Sequence, residues 1–346
     1  MNFPLRAGVV GLGTMGRHHA RVLRHLDGVQ LAVAADPRGD AHHAAGGVPI
    51  VRTVAELLDH DIDYCVVAVP TTEHATIAHA LAAAGVHALI EKPLAPTVTE
   101  AVGLAEAFDA AGLVGAVGHT ERYNPAVLAL RDRLARGELG AVYQVATRRQ
   151  GPFPHRVCDV GVVQDLATHD IDLVTWVTQR PVASITARTI SRSGRRHEDL
   201  VAMIGELTDG TITSHLINWL SPMKERLTVA TGERGCLVAD TLHADLTYYA
   251  NGSTTTEWAA AEVFRGVTEG DIIRYAIAKK EPLLSEHEAF RDAILGRDAE
   301  VVTLWEGACT VAVAEAALAS AASGRTVAPT IPRPRRLPHP RQRQAA

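Results

Sequence analysis

Short apolar runs alternate with amphipathic stretches along residues 7–119. Ala7–Gly11, Gln30–Ala35, Tyr64–Val69, Ala88–Ile90 and Val114–Gly118 read as strands, because each is a brief apolar run bounded by turn residues. Residues 15–26, 53–59, 73–84 and 97–111 between them carry helical periodicity. Strands that alternate with helices imply right-handed crossovers and a parallel sheet covered on both faces. The pattern predicts an α/β, doubly wound N-terminal domain over residues 1–122.

From about residue 125 the rhythm changes. Asn124-Pro125 opens a helix to about Arg136, with proline in a favoured first-turn position. A strand (Val142–Arg148), a loop (Gly151-Pro152-Phe153-Pro154) and a helix across 161–178 follow. Residues 182–250 then read as successive strands separated by turns such as Ser193-Gly194, Asp209-Gly210 and Glu233-Arg234-Gly235. Runs of strands with few helices predict an α+β domain, residues 123–328, built on a large, mainly antiparallel open sheet. An Ala-rich helix near 303–323 stops at Gly324. The tail 329–346 carries five prolines and five arginines and is expected to be disordered.

Composition narrows the class. The chain has 346 residues, 47% hydrophobic and 21% charged, enough apolar material for two cores. Its net charge of −5 gives no general attraction to nucleic acid or an anionic membrane, so neither is an expected partner. The four cysteines are far apart, with no CxxC pair and no zinc-type spacing, and no metal site is expected. No secretory pattern or transmembrane run appears, and a cytoplasmic location is expected.

Three segments carry chemistry. Gly11-Leu12-Gly13-Thr14-Met15-Gly16 lies between a strand and a helix, the context in which GxGxxG binds a dinucleotide. Gly11 permits a tight turn, Gly13 lets the backbone approach the pyrophosphate, and Gly16 lets helix and strand pack closely. Asp36 lies 20 residues beyond Gly16, at the spacing of a ribose-binding carboxylate. That carboxylate would repel a 2′-phosphate, which favours NAD over NADP, although Arg38 nearby softens the preference. His18 and His19 lack companions for a metal and are read as structural or solvated. The second segment, Glu91-Lys92-Pro93, ends a parallel strand, where ligands of open α/β sheets collect. The third is Asp165-Leu166-Ala167-Thr168-His169-Asp170-Ile171-Asp172. If it is helical, Asp165 and His169 share a face at i and i+4. Asp170 and Asp172 read as helix-surface or supporting groups.

Together these segments, with Arg122-Tyr123-Asn124-Pro125, resemble the Gfo/Idh/MocA oxidoreductase family (glucose–fructose oxidoreductase, inositol dehydrogenase, rhizopine catabolism) over about residues 5–325. The resemblance implies a Rossmann domain followed by an α+β domain whose open sheet forms a subunit interface, hence a homodimer or homotetramer. It implies a cis Lys92–Pro93 bond. It also implies catalytic roles for Lys92 at the reacting hydroxyl, His169 as general acid/base, and Asp165 as its charged partner or a substrate ligand. The expected cofactor-binding set is Gly11, Gly13, Thr14, Met15, Gly16, Asp36, Arg38, Pro70, Glu91 and Lys92.

The stretches GHTERYNPAV and GPFPHRVCDVGVVQDLATHDIDLV further resemble UDP-N-acetylglucosamine 3-dehydrogenases. That implies a nucleotide sugar oxidised at its 3-hydroxyl, in preparation for an amino sugar. The expected substrate-binding residues are Lys92, Arg122, Tyr123, Arg148, Arg156, Asp165, His169 and Lys224. Arg149 and Arg226 are further candidates for a diphosphate, because arginine offers a planar fork of donors. Trp219 is equally suited to stacking on a ligand or to the core. A dehydrogenase of a free sugar, inositol or sugar phosphate remains an alternative, as does a non-catalytic NAD(P)-binding regulator.

Overall fold

The computed structural model of the chain describes residues 4–154, 160–252 and 268–334. Six strands form a parallel sheet: β1 (Leu5–Val10), β2 (Val29–Ala35), β3 (Ile50–Val51), β4 (Tyr64–Val67), β5 (His87–Glu91) and β6 (Gly115–Gly118). Their order is β3-β2-β1-β4-β5-β6, so chain direction across the sheet reverses between β1 and β4. In open α/β sheets that reversal leaves a crevice at the carboxyl ends of the strands. Four helices cover the faces: α1 (Thr14–Leu23), α2 (Val54–Leu58), α3 (Thr71–Ala83) and α4 (Val98–Ala111). The predicted elements of this half all occur; the two-residue edge strand β3 gave too short a pattern to register.

A turn of 3₁₀ helix (Thr120–Tyr123) leads into α5 (Pro125–Ala135), capped by the Asn124 side chain on the Ala126 N–H. An eight-stranded sheet follows. It comprises β7 (Val142–Pro152), β8 (Val182–Ile190), β9 (Leu200–Leu207), β10 (Ile212–Asn218), β11 (Leu220–Gly232), β12 (Gly235–Asp240), β13 (Asp245–Gly252) and β14 (Thr268–Arg274). The order is β14-β13-β12-β11-β7-β10-β9-β8, with β7 and β10 parallel and the other neighbours antiparallel. Gly151 and Pro152, expected in a loop, extend β7. One face packs on α6 (Thr168–Thr178) and α8 (Leu304–Ser323). The other leaves Tyr143, Ile204, Ile212 and Leu216 exposed, as strand alternation requires of a one-sided sheet.

Helix α7 (Pro282–Ile294) did not stand out in the sequence, and both it and α8 return to the first sheet. Phe290 of α7 meets Tyr64 edge-on at 5.5 Å, and Arg21 of α1 pairs with Glu281. Thr303 bridges Ala116 of β6, the Val117 N–H reaches Val302 O at 2.9 Å, and Leu304, Ala308 and Val311 of α8 join the core beside α4. Residues 329–334, expected to be disordered, lie against the second domain. Ile331 packs on its core and Cys309 Sγ reaches Pro332 O at 3.6 Å. Apolar contact accounts for this, since Ile331 interrupts the polar run; the rest of the tail lies outside the described residues. Among the described residues no helix is long and apolar enough to cross a membrane.

Candidate active site

One cleft of about 1210 Å³ runs from the carboxyl ends of β1 and β2 to the junction with the second domain. At its first end the glycine turn is shaped by close approach. Gly11 has φ +89°, and a Cβ there would lie 2.4 Å from Ala68 O; one on Gly16 would lie 1.7 Å from Gly11 O. Gly13 has no neighbour within 4 Å on its Cβ side and lines the cleft with Thr14 and Met15. Gly16 faces the turn itself, so its part is to pack rather than to touch a ligand. No acidic residue or side-chain cap occupies the first turn of α1, whose free N–H groups therefore remain available to an anion. Asp36 is buried; its carboxylate accepts the Leu12 and Arg38 N–H groups, each at 2.8 Å, and borders the cleft. Arg38 is exposed, its Nε 3.7 Å from Asp36. The turn, the open helix end and the carboxylate fit a dinucleotide.

Pro70 and Glu91, after β4 and at the end of β5, line the middle of the cleft. Glu91 is turned largely inward. Its Oε1 meets His19 Nε2 at 2.9 Å and its Oε2 accepts the Lys92 N–H at 3.1 Å, while His19 Nδ1 lies 2.8 Å from His287 of α7. Burial opposes the Glu91 charge, but His19 and Lys92 together outweigh it and hold the carboxyl below its ordinary range. His19 is thus structural, as expected, whereas His18 lines the cleft. Beside it lie Pro282 and Leu283, from the unforeseen α7. A proline at the first helical position followed by an amphipathic run, PLLSEHEAFRDAI, was the signal for that helix.

Lys92, Asp165 and His169 converge at the far end. The Lys92–Pro93 bond is cis. Lys92 Nζ donates to Asp165 Oδ1 at 2.7 Å and to Asp165 O at 2.8 Å. The segment that presents them is not a continuous α-helix as the spacing suggested: Val163–Ala167 is a π-turn that runs into α6 at Thr168. The wider turn brings the Asp165 carbonyl, as well as its carboxylate, to the lysine. Wide turns of this kind often mark functional sites. Burial, followed by the charge of Lys92, pushes the His169 imidazole well below its ordinary value, so it is neutral at neutral pH. Its Nδ1 has no hydrogen-bond partner among the described residues.

Several expected substrate ligands lie elsewhere. Arg122 is buried in a two-bond pair with Asp172 (2.6 and 2.8 Å) and reaches Glu306 at 2.7 Å, tying the 3₁₀ turn to α6 and α8. Tyr123 donates to Glu300 O. A 3₁₀ turn rotates successive side chains by about 120°, and it is Glu121, one residue earlier, that faces the cleft. Arg148 points to the open side of the sheet, where it meets Glu225, and Lys224 is exposed outside the cleft. Trp219 is core, edge-on to Phe153 at 5.4 Å. Asp170 and Asp172 are the buried partners of Arg149 and Arg122 rather than surface groups. Arg156 lies outside the described residues. Of the basic candidates in the second domain, Arg226 lines the cleft.

A dinucleotide turn joined by one cleft to a lysine, a carboxylate and a neutral histidine defines a nicotinamide-dependent oxidoreductase. The chain belongs to the Gfo/Idh/MocA family and is an NAD-binding enzyme of that group. Residues 5–119 match the model of its NAD-binding Rossmann fold, and residues 127–238 match that of its C-terminal domain. It is similar to UDP-N-acetylglucosamine 3-dehydrogenase of Acidithiobacillus ferrooxidans, 29% identical with 84% of this chain and 88% of that one covered. Inositol 2-dehydrogenase 2 of Saccharopolyspora erythraea is 27% identical, covering 93% and 94%. Among solved structures, GenD2 from gentamicin A biosynthesis in complex with NAD superposes with a TM-score of 0.78 at 26% identity, covering 94% and 96%.

Proposed function

We propose that this enzyme oxidises the 3-hydroxyl of a nucleotide-activated sugar resembling UDP-N-acetylglucosamine, with Lys92, Asp165 and His169 as its catalytic residues. The observation that carries the reading is the convergence of those three side chains on the cleft that also holds the glycine turn. Bound NAD supplies the acceptor for the hydride. A carbon–hydrogen bond adjacent to a hydroxyl gives up hydride readily only as the hydroxyl proton departs. His169, neutral and lining the cleft, takes that proton. Lys92, as an ammonium, donates to the same oxygen and stabilises the alkoxide that develops. Asp165 holds the lysine at two points and so fixes where its charge sits.

Likeness to a UDP-N-acetylglucosamine 3-dehydrogenase supports the nucleotide sugar, and the similar likeness to an inositol dehydrogenase keeps a polyol as the second reading. The exposed Tyr143, Ile204, Ile212 and Leu216 support a homodimer or homotetramer through the open sheet. The test is NAD reduction followed by absorbance with UDP-sugars, free sugars, inositols and sugar phosphates. Turnover of a UDP-sugar is expected, with a keto group at the sugar's position 3. Turnover of inositol or glucose with none of any UDP-sugar would overturn the substrate. Lys92→Ala and His169→Ala are each expected to lower kcat by at least about a hundredfold while NAD still binds, and near-normal rates would remove them from the chemistry.

A further inference from the structure

Arg226 stands on β11 directly opposite Arg149 on β7, so the two guanidinium groups share one face of the sheet. Like charges in such positions are unfavourable, and the two are satisfied very differently. Arg149, only 3% exposed, gives Nε to Asp170 at 2.9 Å and Nη1 to Glu121 Oε1 at 3.0 Å. Arg226 is 31% exposed, and its one side-chain hydrogen bond among the described residues goes to that same Glu121 oxygen, at 3.0 Å. Glu121 thus serves two cations through a single atom, and only Arg149 has a second carboxylate. Most of the N–H donors of Arg226 remain unspent, in a side chain that walls the cleft beside Asp165 and His169.

We propose that Arg226 recognises an anionic group of the substrate, a phosphate or carboxylate oxygen, while the reacting hydroxyl lies at Lys92 and His169. This rests on the dehydrogenase reading above and adds to it the residue that selects an anionic substrate over a neutral one. An oxyanion can take two parallel N–H bonds from the guanidinium fork, and it would also neutralise the like-charged pair. A neutral polyol supplies neither. Burial and the neighbouring Arg149 already make the Arg226 charge harder to hold than usual, which is the situation a bound anion relieves.

The test uses the full-length, NAD-saturated enzyme with Arg226→Gln and Arg226→Lys. Initial rates are measured with UDP-N-acetylglucosamine (diphosphate), glucuronate (carboxylate), and glucose and myo-inositol (neutral). NAD titration of each variant reports an intact fold. For whichever anionic compound the wild type turns over, Arg226→Gln should raise KM at least tenfold and lower kcat less than threefold, with Arg226→Lys recovering part of the loss. The compound that responds tells phosphate from carboxylate. For a neutral compound the KM shift should stay below threefold. An unaltered KM for the anionic substrate, or a wild-type preference in kcat/KM for inositol over every anionic compound, overturns the proposal. Should the wild type turn over nothing, the dehydrogenase reading has failed, and calorimetric titration with UDP-N-acetylglucosamine decides the anion site separately. Binding lost in Arg226→Gln supports it, and binding that is absent or insensitive to the substitution overturns it.

Discussion

His169 is the residue whose surroundings say most about how the enzyme should behave. Burial comes first and the positive charges of Lys92 and Arg149 follow, all opposing a proton on its ring. A base must be unprotonated to act, so the acid limb of kcat/KM for alcohol oxidation should lie well below pH 6.5, and the rate should be level from pH 8 to about 6.5. Lys92→Met removes a cation that depresses the imidazole, so in its residual activity the limb should move to higher pH. A wild-type limb centred at or above pH 6.5 would show that His169 is not the group being titrated.

At the scale of elements, the second domain is fastened to the first by an ion pair that the sequence disguised as a ligand. Arg122 holds Asp172 of α6 and Glu306 of α8, and Glu306 also closes the capping box of α8 with Thr303. Removing one member of a buried pair leaves the other charged and unpaired, at a cost of about 3–5 kcal/mol. Arg122→Ala should therefore lower the unfolding free energy read from a urea titration by up to that amount, His119 and Thr310 remaining beside Asp172, whereas Arg148→Ala, at an exposed pair, should change stability by less than about 1 kcal/mol. Equal effects from the two would contradict the assignment. The same contrast explains what was legible beforehand. The glycine turn, Asp36, Lys92, Asp165 and His169 belong to local patterns of fixed spacing, and those patterns survive folding. Which of Glu121, Arg122 and Tyr123 faces the cleft depends on the phase of a single 3₁₀ turn, which spacing does not reveal. Whether a basic residue on β7 or β11 reaches the substrate depends on strand register and on carboxylates far away in sequence. The π-turn before α6 and the return of α7 to the cofactor cleft are likewise products of tertiary packing.

For the molecule as a whole, four buried histidines and the half-buried His169 should govern how it meets acid. His74, His119, His169, His215 and His287 are all lowered, in each case chiefly by burial, and His215 falls to about 4. In the unfolded chain these side chains take up protons near pH 6.5, which the native state refuses. Their contribution is therefore complete above that pH and is lost as the pH drops toward the native values. Buried Asp170 and Glu286, both raised, act in the opposite sense, but two carboxyls oppose five imidazoles. His215 alone accounts for about 2 kcal/mol of lost stability at pH 5. Tm should fall between pH 7.5 and 5, and His215→Gln should narrow the drop. A Tm that is flat over that range would refute the account.

The return of α7 and α8 to the first sheet bears on how such a chain comes off the ribosome. The strands of the first sheet, the glycine turn and Asp36 all emerge within about the first third of synthesis. Among the described residues, however, the edge of β6 is bridged by Val302 and Thr303, and one wall of the cofactor cleft waits for Pro282 and Leu283. The nascent dinucleotide domain is thus an unfinished vessel for most of translation. It gains the last wall of its cleft, at Pro282 and Leu283, only when most of the second domain has already been made.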